Sequence, residues 1–249
     1  MFKTNIIYNE DCLSGMSKLP DNSIDAIICD LPYGSTRNSW DVVIPLNELW
    51  VHYKRIIKEH GAIILFGQGM FTSLLMQSNT EWWRYNLIWY KPQPTGFLNA
   101  SRMPLRVHED ICVFYKSLPV YNPIMIKSER KVSSALSKRN CVKTTNYGKH
   151  NLTDYDSDQR YPISILCFPK DIQTSSIHPT QKPVDLIRYL VLTYTMPGQV
   201  ILDNCMGSGT TAIACIKEKR NYVGFEINKE YYNKALQRIR EEQRQLKLF

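Results

Sequence analysis

The segment Val200 to Thr211, VILDNCMGSGTT, restricts what this chain can fold into more than any other stretch. Val200-Ile201-Leu202 is an apolar run of the kind found in a buried parallel strand, and it ends in an acid, Asp203. A tight Gly207-Ser208-Gly209 turn follows, and Thr210-Thr211-Ala212-Ile213-Ala214 opens a helix. A strand, glycine turn and helix in succession bring a ligand to the positive end of the helix, with glycines allowing close backbone approach. The chain is therefore expected to be α/β, with an open sheet and a ligand crevice at its strand ends.

The identity of the ligand turns on charge. Gly207-x-Gly209-x-x-Ala212 satisfies the dinucleotide fingerprint, and Glu226 closes the next strand, Tyr222 to Phe225, where a ribose acid belongs. A pyrophosphate at this turn would meet the carboxylate of Asp203 and be repelled. S-adenosylmethionine instead carries an ammonium for Asp203 and a carboxylate for the helix N-terminus, while Glu226 suits the ribose of either ligand. Glycine turns of this type also serve packing alone. There is no GxxxxGK[ST], which excludes a P-loop.

A second signal lies far upstream. Ile24-Asp25-Ala26-Ile27-Ile28-Cys29 reads as another buried strand and runs into Asp30-Leu31-Pro32-Tyr33-Gly34. Asp30 then stands at a strand's C-terminal end, facing the crevice. It can accept a hydrogen bond from an exocyclic amine. Pro32 fixes its own φ and restricts Leu31, and Tyr33 offers a flat ring to a planar base. The same five residues would also make an ordinary turn; their coincidence with the glycine loop favours a site.

With both signals in hand, the chain resembles the β-class DNA amino-methyltransferases, which methylate adenine N6 or cytosine N4. The resemblance covers nearly the whole chain in the family's permuted order. A first strand ends at Glu10-Asp11-Cys12, and Asp30-Leu31-Pro32-Tyr33 matches the catalytic tetrapeptide. A variable region follows, then His178-Pro179-Thr180-Gln181-Lys182-Pro183, then the loop Asp203 to Thr211. Two letters depart from the commoner pattern: Leu31 replaces the first proline of D-P-P-Y, and Asp203-Asn204-Cys205 replaces D-P-F.

The resemblance implies a Rossmann-like methyltransferase fold, with a mostly parallel seven-stranded sheet, one antiparallel strand and an inserted target-recognition region. It implies S-adenosylmethionine as cofactor. It assigns catalysis to Asp30, Leu31, Pro32 and Tyr33, and cofactor contacts to Asp11, Cys12, Thr180, Gln181, Lys182, Asp203, Gly207, Ser208, Gly209, Thr210, Thr211 and Glu226. The catalytic and cofactor-binding parts of one domain are expected at 1–117 and 177–249, with the target-recognition insertion at 118–176. Asp at the head of the tetrapeptide favours adenine N6; cytosine N4 is the alternative, and a NAD(P)-dependent oxidoreductase the distant one. The resemblance also allows a cognate restriction endonuclease and a homodimer as partners, and a bacterial or phage source.

Charge agrees with a polyanionic partner. The net charge is +8, and most of that excess falls in residues 116–150, where eight basic residues face the single acid Glu129. Lys127, Arg130, Lys131, Lys138, Arg139 and Lys143 are the predicted contacts to duplex DNA, through its phosphates. A solvated basic loop would carry the same letters. The seven cysteines form no CxxC pair and read as reduced, mostly buried thiols of a cytoplasmic protein, and no metal spacing occurs. No apolar run reaches the roughly eighteen residues of a membrane span, and the first residues lack a signal-peptide core.

Strands are expected near 5–9, 24–29, 61–66, 84–90, 109–115, 199–202 and 221–225, and helices over 46–58, 70–78, 183–195, 209–219 and 229–244. The strands near 84–90 and 109–115 should form an antiparallel pair closing one edge, joined by a long polar loop, Lys91 to His108, beside the site. In that loop Arg106, His108 and Glu109 either touch DNA or anchor the loop. Lys229 to Gln245 reads as a charged face over an apolar stripe of Tyr232, Ala235, Leu236 and Ile239.

Overall fold

Ile24–Cys29 (β2) is buried at every residue, as a strand covered on both sheet faces must be. The computed structural model describes residues 2–34, 41–133, 156–170 and 181–246. The chain divides into two units, the larger made of Met1–Asn122 with Ser164–Phe249 and the smaller of Pro123–Ile163.

The larger unit is built on one eight-stranded sheet. Its strands are β1 (Ile6–Tyr8), β2, β3 (Ile57–Gly67), β4 (Trp83–Thr95), β5 (Arg106–Phe114), β8 (Ile165–Cys167), β9 (Val200–Asp203) and β10 (Asn221–Phe225). Their order is β1-β10-β9-β2-β3-β5-β4-β8. Neighbours pair in parallel except at β5, which is antiparallel to both β3 and β4. One reversed strand in an otherwise parallel sheet is the expected arrangement.

Helices cover both faces. Alternate residues of β2 and β3 belong to two separate cores: Ile28, Ile64 and Phe66 to one, Ile27, Ile63 and Leu65 to the other. The first packs against α4 (Val184–Tyr194), α5 (Thr210–Lys217) and α6 (Lys229–Leu246) through residues such as Leu190, Ile213 and Ile239. The second packs against α1 (Cys12–Ser17), α2 (Leu46–Ile56) and α3 (Met70–Ser78) through Met16, Tyr53 and Leu75. The charged final helix does bury Ala235 and Ile239, as its stripe predicts.

Four expectations need correction. The sheet has eight strands, because β8 adds three residues outside β4; its short pattern gives no periodic signal. The β4–β5 pair therefore does not close the edge. The predicted loop Lys91 to His108 is shorter, since β4 continues to Thr95 and β5 begins at Arg106, leaving 96–105 with a 3₁₀ turn at Phe97–Asn99. Finally, the helix expected to reach residue 58 stops at Ile56, and β3 starts at once. Ile57 is extended and pairs with Ile24, and Lys58 bonds the buried Asp25 at 2.7 Å.

The smaller unit contributes an antiparallel pair, β6 (Ile126–Ser133) with β7 (Asp156–Arg160). Lys127 and Lys131 are exposed on β6. Arg130 also lies in β6, whereas Lys138, Arg139 and Lys143 fall outside the described residues, as does Thr180.

Candidate active site

The C-terminal ends of the parallel strands converge on a cavity of about 880 Å³. That volume accommodates a nucleoside-sized ligand together with a second planar group. Asp30 follows β2, Asp203 ends β9, Glu226 follows β10, and Asp11 follows β1; all four line the cavity. Their clustering follows from the topology, because parallel strands point their C-terminal ends to one side of the sheet.

On one side the glycine turn is held by acids. Glu226 accepts the amide of Gly207 on Oε2 and that of Asn228 on Oε1, both at 2.8 Å. Asp203 accepts the Thr211 hydroxyl on Oδ2 at 2.6 Å and the Cys205 amide on Oδ1 at 3.0 Å. Burial pushes Asp203 up to about 6, against the help of its hydrogen-bond donors, and raises Glu226 as well. Both acids line the cavity, where they suit a cationic amine and a diol. Gly209 starts α5 at φ +80°, a conformation glycine adopts without strain. Ser208, Thr210 and Thr211 line the cavity, while Gly207 and Gly209 shape the turn without lining it.

Behind this turn stands a residue the sequence reading missed. Arg238 of α6 donates to the Thr210 hydroxyl at 2.9 Å and to the Ser208 carbonyl at 3.2 Å. Tyr231, from the same helix, lines the cavity. Asp11 caps α1 by accepting the Ser14 amide at 2.9 Å, and Cys12, Cys29 and Cys205 share the adjoining wall.

On the other side lies the tetrapeptide. Asp30 accepts the Tyr33 hydroxyl on Oδ1 at 2.7 Å and the Lys182 ammonium on Oδ2 at 2.6 Å. Phe71 stacks on the Tyr33 ring, 4.9 Å between centroids and 30° between planes, which fixes the ring. Leu31 and Pro32 also line the cavity. Thus Asp30 to Tyr33, predicted from one segment, and Gln181 and Lys182, predicted from another, come together with the glycine loop.

Two further charges were not foreseen as part of the site. Glu109 and Lys91 both line the cavity, with side chains 14% and 2% exposed, and Lys91 bonds Glu109 Oε1 at 2.7 Å. Lys182 lies 3.2 Å from Glu109 Oε2. Glu109 therefore anchors inward, whereas Arg106 bonds Gln68 at 2.9 Å and remains exposed. Burial would raise Glu109, but Lys182 and Lys91 hold it below its ordinary value. Burial would likewise lower Lys182; Asp30 and Glu109 overcome this and raise it. For Asp30 burial prevails and lifts the carboxyl despite Lys182. A period-two strand pattern at β5 could have flagged Glu109 as inward-facing, but no local signal pairs it with Lys182, 73 positions away.

Among the described residues no group of three or more His, Cys, Asp or Glu side chains is arranged to hold a metal, and no helix is long and apolar enough to cross a membrane.

A doubly covered, mostly parallel sheet with two strand-end acids around a glycine turn is the Rossmann-like methyltransferase architecture. Solved structures agree: the chain superposes on the M1.HpyAVI–SAM complex with a TM-score of 0.61 at 24% identity, covering 93% of this chain and 98% of that one. It superposes on the PvuII cytosine-N4-specific DNA methyltransferase with a TM-score of 0.67 at 13% identity, covering 97% and 92%. The family is decided by sequence. The N6/N4 DNA methylase family profile matches residues 24–237, and this chain belongs to that family of DNA methyltransferases. Similar proteins include the type II methyltransferase M.HinfI of Haemophilus influenzae, 27% identical over 95% of this chain and 68% of the relative. Another is the DNA adenine methyltransferase YhdJ of Escherichia coli strain K12, 26% identical over 94% of this chain and 82% of the relative.

Proposed function

We propose that this protein transfers a methyl group from S-adenosylmethionine to the exocyclic N6 of adenine in duplex DNA. The observation that carries the reading is the single cavity shared by Asp30 and Tyr33 on one side and Asp203, Glu226 and the glycine turn on the other. The donor set fits the cofactor: an ionisable acid at Asp203 for the ammonium, an oriented acceptor at Glu226 for the ribose, and apolar walls from Met206 and Phe225. When bound, S-adenosylmethionine would be held by Asp203, Glu226 and the glycine turn and would supply an electrophilic methyl group to the amine.

The chain's own residues position the amine. A target base paired in a duplex hides its amino group, so it must leave the stack. Tyr33, held by Phe71, offers the stacking surface. Asp30 accepts an amine hydrogen and, with a carbonyl of the Leu31-Pro32 segment, directs the lone pair toward the methyl. Positioning and electrostatic grip then supply most of the rate. Proposed duplex contacts come from the basic residues of 118–176, among them Lys127, Arg130, Lys131, Lys138, Arg139 and Lys143.

Adenine is favoured over cytosine by the leading Asp30 and by similarity to an adenine methyltransferase. The cytosine-N4 reading draws on the fold likeness to the PvuII enzyme. Incubation with unmethylated duplex DNA and methyl-labelled cofactor, followed by nucleoside mass analysis, decides between them: labelled N6-methyladenine is expected, and N4-methylcytosine would overturn the base assignment. Asp30→Ala should abolish transfer while cofactor affinity stays within about tenfold, the loss being confined to the transition state; retained activity would refute the role of Asp30.

A further inference from the structure

Both carboxylate oxygens of Asp30 are engaged, Oδ1 by Tyr33 and Oδ2 by Lys182. A target amine brings two N–H donors of its own and competes with Lys182 for Oδ2. The ammonium is also unfavourable for the chemistry. As the amine attacks a methyl group its nitrogen becomes positive, and a cation held beside it in a poorly solvated pocket raises that state in energy. Lys182 therefore has to leave Asp30 for the reaction, yet its side chain is only 10% exposed and has no route to water without cost.

The destination is already in place. Glu109 Oε2 is buried with the Lys182 Nζ 3.2 Å away, an ion pair looser than the 2.6 Å bond of the same ammonium to Asp30 Oδ2. The other oxygen of Glu109 is fixed by Lys91 at 2.7 Å, so the carboxylate cannot turn away. The rings of Phe66 and Trp89, 5.0 and 5.9 Å from the Lys182 ammonium, line its short path with cation-tolerant surface.

We propose that Glu109 is a positioning residue that takes over the Lys182 ammonium when a target amine occupies Asp30, freeing Oδ2 to accept the amine hydrogen. This rests on the methyl-transfer reading above. Two carboxylates share one mobile cation, and the buried Lys91 keeps the second of them charged and in register. The depressed titration of Glu109 agrees, since Lys182 and Lys91 together hold it anionic against its burial.

The test is a double-mutant cycle on single-turnover methyl transfer to unmethylated duplex DNA, with cofactor affinity measured by calorimetry. Glu109→Gln leaves Lys182 locked on Asp30; the transfer rate should fall about a hundredfold, the upper end of coupling between contacting side chains, with cofactor affinity within about threefold. Adding Lys182→Met to Glu109→Gln removes the lock and should recover about tenfold. A merely structural network would instead make the double variant slower still, and that result, or a Glu109→Gln rate within about threefold of the parent, overturns the proposal. A crystal structure of the unsubstituted protein with adenosine bound reads the same exchange directly. Nζ bonded to Glu109 Oε2 and released from Asp30 supports it; Nζ still on Asp30 refutes it. Absence of any transfer by the unsubstituted protein would refute the methyl-transfer reading and the exchange with it.

Discussion

Replacing Asp203 with asparagine removes a charge that the fold holds unfavourably. Asp203 is 5% exposed, and burial raises its carboxyl from 3.8 to about 6. Its folded value lies above its unfolded one, so the native state binds the extra proton between those limits. Stability therefore falls as pH rises from about 4 to about 6, and the full penalty applies above 6. The displacement corresponds to about 3 kcal/mol. Asparagine escapes the penalty but keeps a single acceptor oxygen, for the Cys205 amide, while its NH2 must donate to the Thr211 hydroxyl instead of accepting from it, which leaves a net gain of about 1–2 kcal/mol at pH 7.5. In a domain of this size that raises the melting temperature by roughly 2–8 °C. Scanning calorimetry of the ligand-free protein and of Asp203→Asn from pH 4 to 8 measures it. The gap should be widest above pH 6 and shrink toward pH 4. The same variant should bind S-adenosylmethionine about a hundredfold more weakly, because the ammonium loses its partner. A variant that melts below its parent at pH 7.5, or a gap independent of pH, would refute the claim that Asp203 is held against its desolvation.

A methyl added at Gly15 of α1 would lie 2.2 Å from a ring carbon of the buried Phe225, which must shift; Gly15→Ala should lower the melting temperature by roughly 2–12 °C, as overpacking of about 1–3 kcal/mol does. Lys127→Ala with Lys131→Ala should weaken DNA binding and reduce the slope of log affinity against log salt by about 0.9 per lost phosphate contact, leaving cofactor affinity unchanged. An unchanged salt slope would remove β6 from the interface. Arg238→Ala should loosen the glycine turn from behind and weaken cofactor binding by roughly tenfold, at the scale of one charge-assisted hydrogen bond. Equal affinity in that variant would show that the turn holds its shape without α6.

The strands that carry the site were legible because they are local signals. Largely apolar runs at Ile24–Cys29, broken only by Asp25, and at Val200–Leu202 lead into the acids Asp30 and Asp203, and read as buried parallel strands with those acids at one rim. The glycine turn and the tetrapeptide were legible for the same reason: each works through residues adjacent in the chain. Residues 118–176 were legible only as charge, and half of that segment's predicted contacts lie outside the described residues. The strand β8 was not legible, since three residues with one buried side chain give no period; its pairing with Ile88–Tyr90 decides it.

By itself the sequence determined an α/β chain, the family, and the two segments that face the cavity. Only the tertiary structure decided what stands around Asp30. Lys91 and Glu109 lie on paired antiparallel strands, and Lys182 comes from a segment preceding α4. One segment at a time, Lys182 reads as a cofactor contact and Glu109 as a DNA contact or loop anchor, and nothing joins them. They become a buried network because strand order brings β3, β5 and β4 side by side next to β2, within reach of Lys182. Pairing between distant charges depends on which elements pack together, and no local periodicity encodes that.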